Sequence, residues 1–248
     1  MATTCLNCGS PLQNQFCPRC GQKAEVHRLN LHNLREEIYH IFGQVQEGFL
    51  KTTEQLILRP GLLCKNYLDG KRKRYHKPIS FLLIWMAAFI LIFQAALYLT
   101  DFPSTNTATP FTFDIKSSSI ISKYRSIIEV LTIPFLAFIS WLIMARPRLN
   151  YVEVLTAFFY LTAFLFILLC AQFIIALLFD INFRTNNFDL ATRGLYAAWL
   201  LYAGYNFYKH YNIRFMVPRL ILSLIFGGFI YFNLIKLIVE LMIIWQIA

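Results

Sequence analysis

"ISFLLIWMAAFILIFQAALYLT", residues 79–100, carries no charged side chain from end to end. At about 1.5 Å per residue, a helix of this length reaches roughly 30 Å, the thickness of a bilayer's hydrocarbon core. Lipid offers no hydrogen bonds, so a segment crossing it must pair its own backbone groups, which a helix does. Four more apolar runs follow. Residues 126–145 hold Glu129 near the start and Pro134 inside, and 154–179 are uncharged. Residues 190–208 are the weakest run, with Arg193 and several tyrosines, and 219–247 contain Lys236 and Glu240. None alternates apolar with polar residues, as a strand of a membrane barrel would. The expected fold is therefore an all-α membrane protein with a five-helix transmembrane bundle over 79–248. A small N-terminal unit at 1–26 and an amphipathic helix with a basic juxtamembrane segment at 27–78 precede it.

Composition excludes an ordinary soluble domain. The chain of 248 residues is 57% hydrophobic and 15% charged, against about 25% charged in soluble domains. Its net charge of +10 is unevenly placed. Seventeen of the 23 Lys and Arg fall in residues 1–78, the second-to-third loop and the fourth-to-fifth loop. Cytoplasmic loops collect such residues, so the N-terminus is expected inside and the C-terminus outside. "GKRKRYHKP", residues 70–78, stands directly before the first apolar run. Lys71, Arg72, Lys73, Arg74 and Lys77 are expected against anionic headgroups, each gaining about 1 kcal/mol there. A nucleic-acid surface would spread its charge over a folded domain with interleaved aromatics, and is not favoured. "MATTCLNCGS" lacks the basic-then-apolar pattern of a secretory signal, so the first membrane helix is expected to act as its own signal.

"CLNCG" at 5–9 and "CPRCG" at 17–21 place Cys5, Cys8, Cys17 and Cys20 in a C-x2-C-x8-C-x2-C array. Four thiolates suit one tetrahedral zinc ion, with no open position for water, so the expected metal is structural. Iron is the alternative, disfavoured by the short spacer. A reducing cytoplasm favours metal over disulfides. Gly9 and Gly21 are expected to permit the tight turn after each pair, with a small turn and short strands between them. The stretch resembles short zinc ribbons, in which "FCPRCGQK" is a typical second half. Such ribbons serve as docking modules, nucleic-acid binders or structural caps. Cys64 and Cys170 have no paired motif and are expected to be buried free thiols.

Leu31, Leu34, Ile38, Ile41, Phe42, Val45 and Phe49 recur every three or four residues, the pattern of an amphipathic helix. It is expected over 31–58, with a capping box from Asn33 and Glu36, a Glu47–Lys51 pair, and weak points at Gly43 and Gly48. "RPG" at 59–61 ends it, because proline disfavours helical geometry in the residue before it. A second short helix is expected at 62–68. The first helix lies either on the lipid surface or against the membrane bundle or a partner.

Ionisable residues inside membranes carry a functional expectation. Glu129, Lys236 and Glu240 are candidates for an outward-facing polar site of a transporter or channel component. The plainer reading for Lys236 and Glu240 is an interfacial pair with snorkelling side chains. Glu153, at the inner end of helix three, is expected to face headgroups. Pro134 is expected to kink helix two, and Ser223 with Gly227 to permit close helix packing. Tyr196, Tyr202, Tyr205 and Tyr208 suit either a lipid-binding role or an interfacial belt. No phosphate loop, GxSxG, HExxH or intramembrane catalytic pair is present, so nothing nominates an enzyme.

The "CLNCG…FCPRCGQ" ribbon, Thr52 or Thr53, "RPG" at 59–61, "GKR" at 70–72, Tyr75 and Pro78, followed by membrane helices, resemble a family of bacterial membrane proteins catalogued as a domain of unknown function (3667 type). The resemblance implies this architecture and the bacterial inner membrane, and no activity. The expected role is a non-enzymatic scaffold. Its ribbon would hold one Zn2+ and offer a protein partner, or a second copy, a cytoplasmic surface, with membrane lipids around the bundle.

Overall fold

The computed structural model describes residues 4–12, 14–24, 48–99, 115–182, 186–211 and 213–244. Most of the amphipathic pattern at 31–47, with Asn33, Glu36, Gly43 and Glu47, lies outside these residues. Among the described residues, seven α-helices follow the cysteine segment: α1 (Phe49–Leu58), α2 (Pro60–Leu68), α3 (Pro78–Leu99), α4 (Ile115–Ser140), α5 (Tyr151–Leu178), α6 (Asn186–Tyr208) and α7 (Met216–Ile244). A π-helical turn, Trp141–Ala145, extends α4, and 3-10 turns sit at Arg72–Arg74 and Lys209–Tyr211. Among the described residues the only β pairing is two isolated bridges, Thr4 with Pro11 and Phe16 with Lys23. The expected short strands are thus single pairs, since the spacer between the cysteine pairs is divided between two tight turns.

Helix α5 is the axis of the molecule. Val154, Tyr160, Ala163 and Phe166 along it are fully buried. Helix α3 runs parallel to it, with Phe81 against Tyr160, Phe89 against Phe166 and Phe93 against Phe173. Helix α6 runs the opposite way: Thr192 donates to Gln172 Oε1 at 2.8 Å, and further along Trp199 stacks on Phe164 at 3.7 Å. Helix α7 is antiparallel to α4, since Tyr231 meets Glu129 while Gly227 faces Leu136. The five long helices α3 to α7 therefore alternate in direction.

Among the described residues, four segments are long and apolar enough to cross a membrane: Arg72–Leu99, which ends in α3, Ser126–Ala145 of α4 and its π turn, α5 and α7. Helix α6 is long enough but too polar to join them by composition. Helix α7 lies at the edge, with Ile225, Phe229, Leu237 and Leu241 exposed in succession. An apolar surface of that extent is not tolerated in water. The arrangement is compatible with an integral membrane protein.

The amphipathic segment is corrected in one respect. Among the described residues its helix begins at Phe49, and Gly48 interrupts the run expected over 31–58. Gly48 before it has φ +113, and a Cβ there would lie 2.8 Å from the Arg74 carbonyl oxygen. Only glycine adopts that conformation without strain. The choice between lipid surface and bundle is decided for α1 in favour of the bundle. Thr52 and Leu56 are fully buried, and the Phe49 ring packs on Phe81 and Trp85. "RPG" ends α1 as expected, and Pro60 opens α2 at its first position, where no N–H is needed.

Helix α5 starts with a capping box. Glu153 N–H donates to Asn150 Oδ1 and Asn150 N–H donates to Glu153 Oε2, both at 2.8 Å. Glu153 is thus buried and engaged, not spread among headgroups. The N-x-x-E spacing was the available signal. The small-residue contact also sits elsewhere than expected. A Cβ on Gly227 would meet Leu136 at an ordinary 3.8 Å, whereas one on Gly204 would come within 2.7 Å of Leu220.

Candidate metal centre and its seat on the helices

Two short turns build the centre. In each, the glycine N–H closes on the first cysteine's carbonyl: Gly9 to Cys5 and Gly21 to Cys17, both at 2.8 Å. Gly9 and Gly21 have φ +75 and +68, the left-handed geometry that lets the chain reverse directly after each cysteine pair. The turns bring Cys5 Sγ to 3.6 Å from Cys20 Sγ, and Cys8 Sγ to 3.6 Å from Cys17 Sγ. All four sulfurs lie within 4.8 Å of one another and could hold a metal ion. Ser10, hydrogen-bonded to Cys8 Sγ at 3.3 Å, helps draw the Cys8 thiol down to about 6. That favours the thiolate, the form that ligates metal. All six cysteines are free thiols, and Cys64 and Cys170 are buried as expected. Burial pushes the Cys64 thiol up to about 12, which makes it inert beside the quartet.

The residue just after the last cysteine turn clasps the centre to the rest of the chain. Gln22 is buried, its Nε2 donates to the Gly70 carbonyl at 2.8 Å, and its Oε1 accepts from the Lys73 N–H at 3.2 Å. One side-chain amide therefore satisfies two backbone groups of the basic stretch. Gln22 is the glutamine of the "FCPRCGQK" stretch, whose resemblance to zinc ribbons does not say what it holds. Its part is set by a contact 48 residues away.

The stretch under the clasp is itself wired to the helices. Lys71 Nζ donates to Asn66 Oδ1 at 3.0 Å, and Asn66 Nδ2 donates to the buried Tyr75 hydroxyl at 3.1 Å. The Arg72 guanidinium lies 5.8 Å from the Tyr67 ring. His76 N–H donates to the Thr52 hydroxyl at 2.9 Å, and Thr52 donates to the Gly48 carbonyl at 2.8 Å. The Tyr160 hydroxyl of α5 donates to the His76 carbonyl. Of the five basic residues, Lys73 and Arg74 are exposed, while Lys71, Arg72 and Lys77 are half-buried. The stretch serves the fold as much as any surface.

Helix α2 meets α6 through Gly61. A Cβ there would sit 2.2 Å from the Asn206 carbonyl carbon, so the two backbones touch. The Tyr202 hydroxyl reaches the Leu58 carbonyl at the end of α1, at 2.8 Å. Tyr196 donates to the Leu161 carbonyl at 3.3 Å, and Tyr208 shares a 2.8 Å hydrogen bond with Ser140. Three of the four tyrosines thus fasten α6, and Tyr205 is exposed.

The candidate polar set is divided between α4, which carries Glu129, and α7, which carries Lys236 and Glu240. Glu129 Oε1 accepts from the Tyr231 hydroxyl at 2.6 Å. Lys236 and Glu240 are exposed on α7.

Neither the curated proteins nor the solved structures include a match to this chain. A family model does match, over residues 47–90, and its description is "Protein of unknown function (DUF3667)". The matched span runs from just before Gly48 to the middle of α3, and so covers α1, α2, the Thr52–His76 contact and the basic stretch that Gln22 clasps. Over that segment, the chain is similar to the DUF3667 family.

Proposed function

We propose that this is a five-crossing protein of the bacterial inner membrane, its N-terminus cytoplasmic, whose ribbon holds one structural Zn2+ and works as a docking platform. Zn–S bonds of about 2.3 Å in a tetrahedron put neighbouring sulfurs roughly 3.8 Å apart, close to the two 3.6 Å separations. Four thiolates fill the coordination sphere, so the ion would hold the two turns together and perform no chemistry. The alternating direction of α3 to α7 supports a fifth crossing by α6 despite its polarity. The basic stretch would sit at the headgroups, with Lys73 and Arg74 free to reach them.

The observation that carries the docking role is the Gln22 clasp, which supports a ribbon held at a set position on the bundle, together with two large apolar side chains left outside. Leu6 and Phe16 on the ribbon are 47% and 54% exposed. A structural cap has no need to present them. The test uses the full chain. Metal analysis should find about one zinc per wild-type chain and none in a Cys17→Ser/Cys20→Ser variant. A photocrosslinking residue at Phe16 should trap a discrete protein species that the cysteine variant loses. Zinc lost with no such species at Phe16 or Leu6 would leave the ribbon as a cap. Zinc retained by the variant would remove the metal reading itself.

A further inference from the structure

A groove of about 1060 Å3 runs along the outside of the bundle between α4 and α7. Pro134, Phe138 and Trp141 line one side, and Leu222, Phe226 and Ile230 the other. Small-molecule sites occupy about 300–1,000 Å3, so this one is large, and its walls are almost wholly apolar. Two features shape it. Pro134 has no N–H to give the preceding turn. The π turn at Trp141–Ala145 widens the end of the helix, a feature that recurs at functional sites. Trp141 is held in place by a 2.9 Å hydrogen bond from its indole N–H to the Leu149 carbonyl.

We infer that this groove binds one acyl chain of an anionic glycerophospholipid, with the headgroup phosphate taken by Arg146 and Arg219. Leu222, Phe226 and Ile230 lie at i, i+4 and i+8 on one face of α7. Arg219, three residues before Leu222, continues that face and is exposed. Across the groove, the exposed Arg146 places its guanidinium 5.8 Å from the Trp141 ring. Two cations thus stand at the same end of an apolar channel, and Arg148 and Arg214 add charge nearby. From Leu222 to Ile230 the channel follows α7 for roughly 12 Å. One leaflet's share of a ~30 Å core is about 15 Å. Length, lining and charge therefore match a lipid whose headgroup is level with the ends of α4 and α7. A free anion would use the arginines but leave the groove bare, and a neutral lipid would use the groove but not the arginines.

The inference rests on the membrane reading, which resistance of the chain to alkaline extraction from membranes tests separately. Its own test is native mass spectrometry of the full chain with phosphatidylglycerol or phosphatidylcholine of identical chains. The wild type should hold one phosphatidylglycerol with a preference of about tenfold to thirtyfold. Arg146→Gln/Arg219→Gln should bring the two lipids near parity, and Arg146→Lys/Arg219→Lys should restore most of the preference. Leu222→Trp should lower retention of both lipids. Both arginines are exposed, so helix content by circular dichroism should match the wild type throughout. Equal retention of the two lipids by the wild type overturns the proposal. So does a phosphatidylglycerol preference that survives the glutamine pair.

Discussion

Gln22 shows how much one amide can fix. It supplies both a donor and an acceptor to backbone groups 48 and 51 residues away. Gln22→Ala would strand the buried Gly70 carbonyl, at about 1–3 kcal/mol, and free the Lys73 N–H to water. The expected outcome is a ribbon that keeps its metal but comes away from the bundle. Limited trypsin digestion would then cut faster at Arg19 or Lys23, with the metal content unchanged. Unaltered cleavage would show that the clasp is not what seats the ribbon. The cysteines, by contrast, declare themselves: their spacing and the two glycines imposed the turn geometry from within a dozen residues.

At the scale of elements, the docking of α1 and α2 is set by shape. Gly61 lets α2 touch the α6 backbone, and Tyr202 ties α6 to the end of α1. Gly61→Ala places a methyl where the Asn206 backbone already is, and backbone cannot rotate away as a side chain can. The cost should be at the upper end of the roughly 1–3 kcal/mol for overpacking, or beyond it. Thermal unfolding in detergent should show a clear fall in melting temperature, while Gly194→Ala, in open space on α6, should be near neutral. Equal effects of the two would mean that α2 and α6 do not meet as described. "RPG" was legible as a helix stop, but the need for its glycine was not. The partner is α6, nearly 150 residues on, and no local pattern encodes it.

For the whole molecule, the decisive question is whether α6 crosses. It falls short on composition, yet its tyrosines spend their hydroxyls on the Leu161 and Leu58 carbonyls and on Ser140. Paired hydroxyls cost far less in a membrane than free ones. Five crossings put the C-terminus opposite the N-terminus, and four would put both on one side. In intact cells, a membrane-impermeant maleimide should label a cysteine introduced at Ser104 but not one at Arg148, and an epitope at the C-terminus should be reached from outside. A C-terminus reached only after permeabilisation would reduce the crossings to four. A Ser104 site that is likewise shielded would overturn the orientation.

The helical class and the gathering of the four cysteines were local properties, and the sequence by itself determined them. An uncharged run of bilayer length has one stable conformation in lipid, and two C-x2-C-G turns have one way to point their thiols. Of the amphipathic period, Phe49 lies among the described residues and packs on Phe81 and Trp85. What covers Phe49, why Gly48 and Gly61 are glycines and where the ribbon sits were decided only by tertiary structure. Each depends on a surface brought close from far along the chain. Lys71 and Arg72 look like any juxtamembrane charge until Asn66 and Tyr67 are seen beside them. Periodicity reports which side of a helix is apolar. It carries no information about what that side meets, because packing partners are selected by shape and by unpaired polar groups that exist only once the chain has folded.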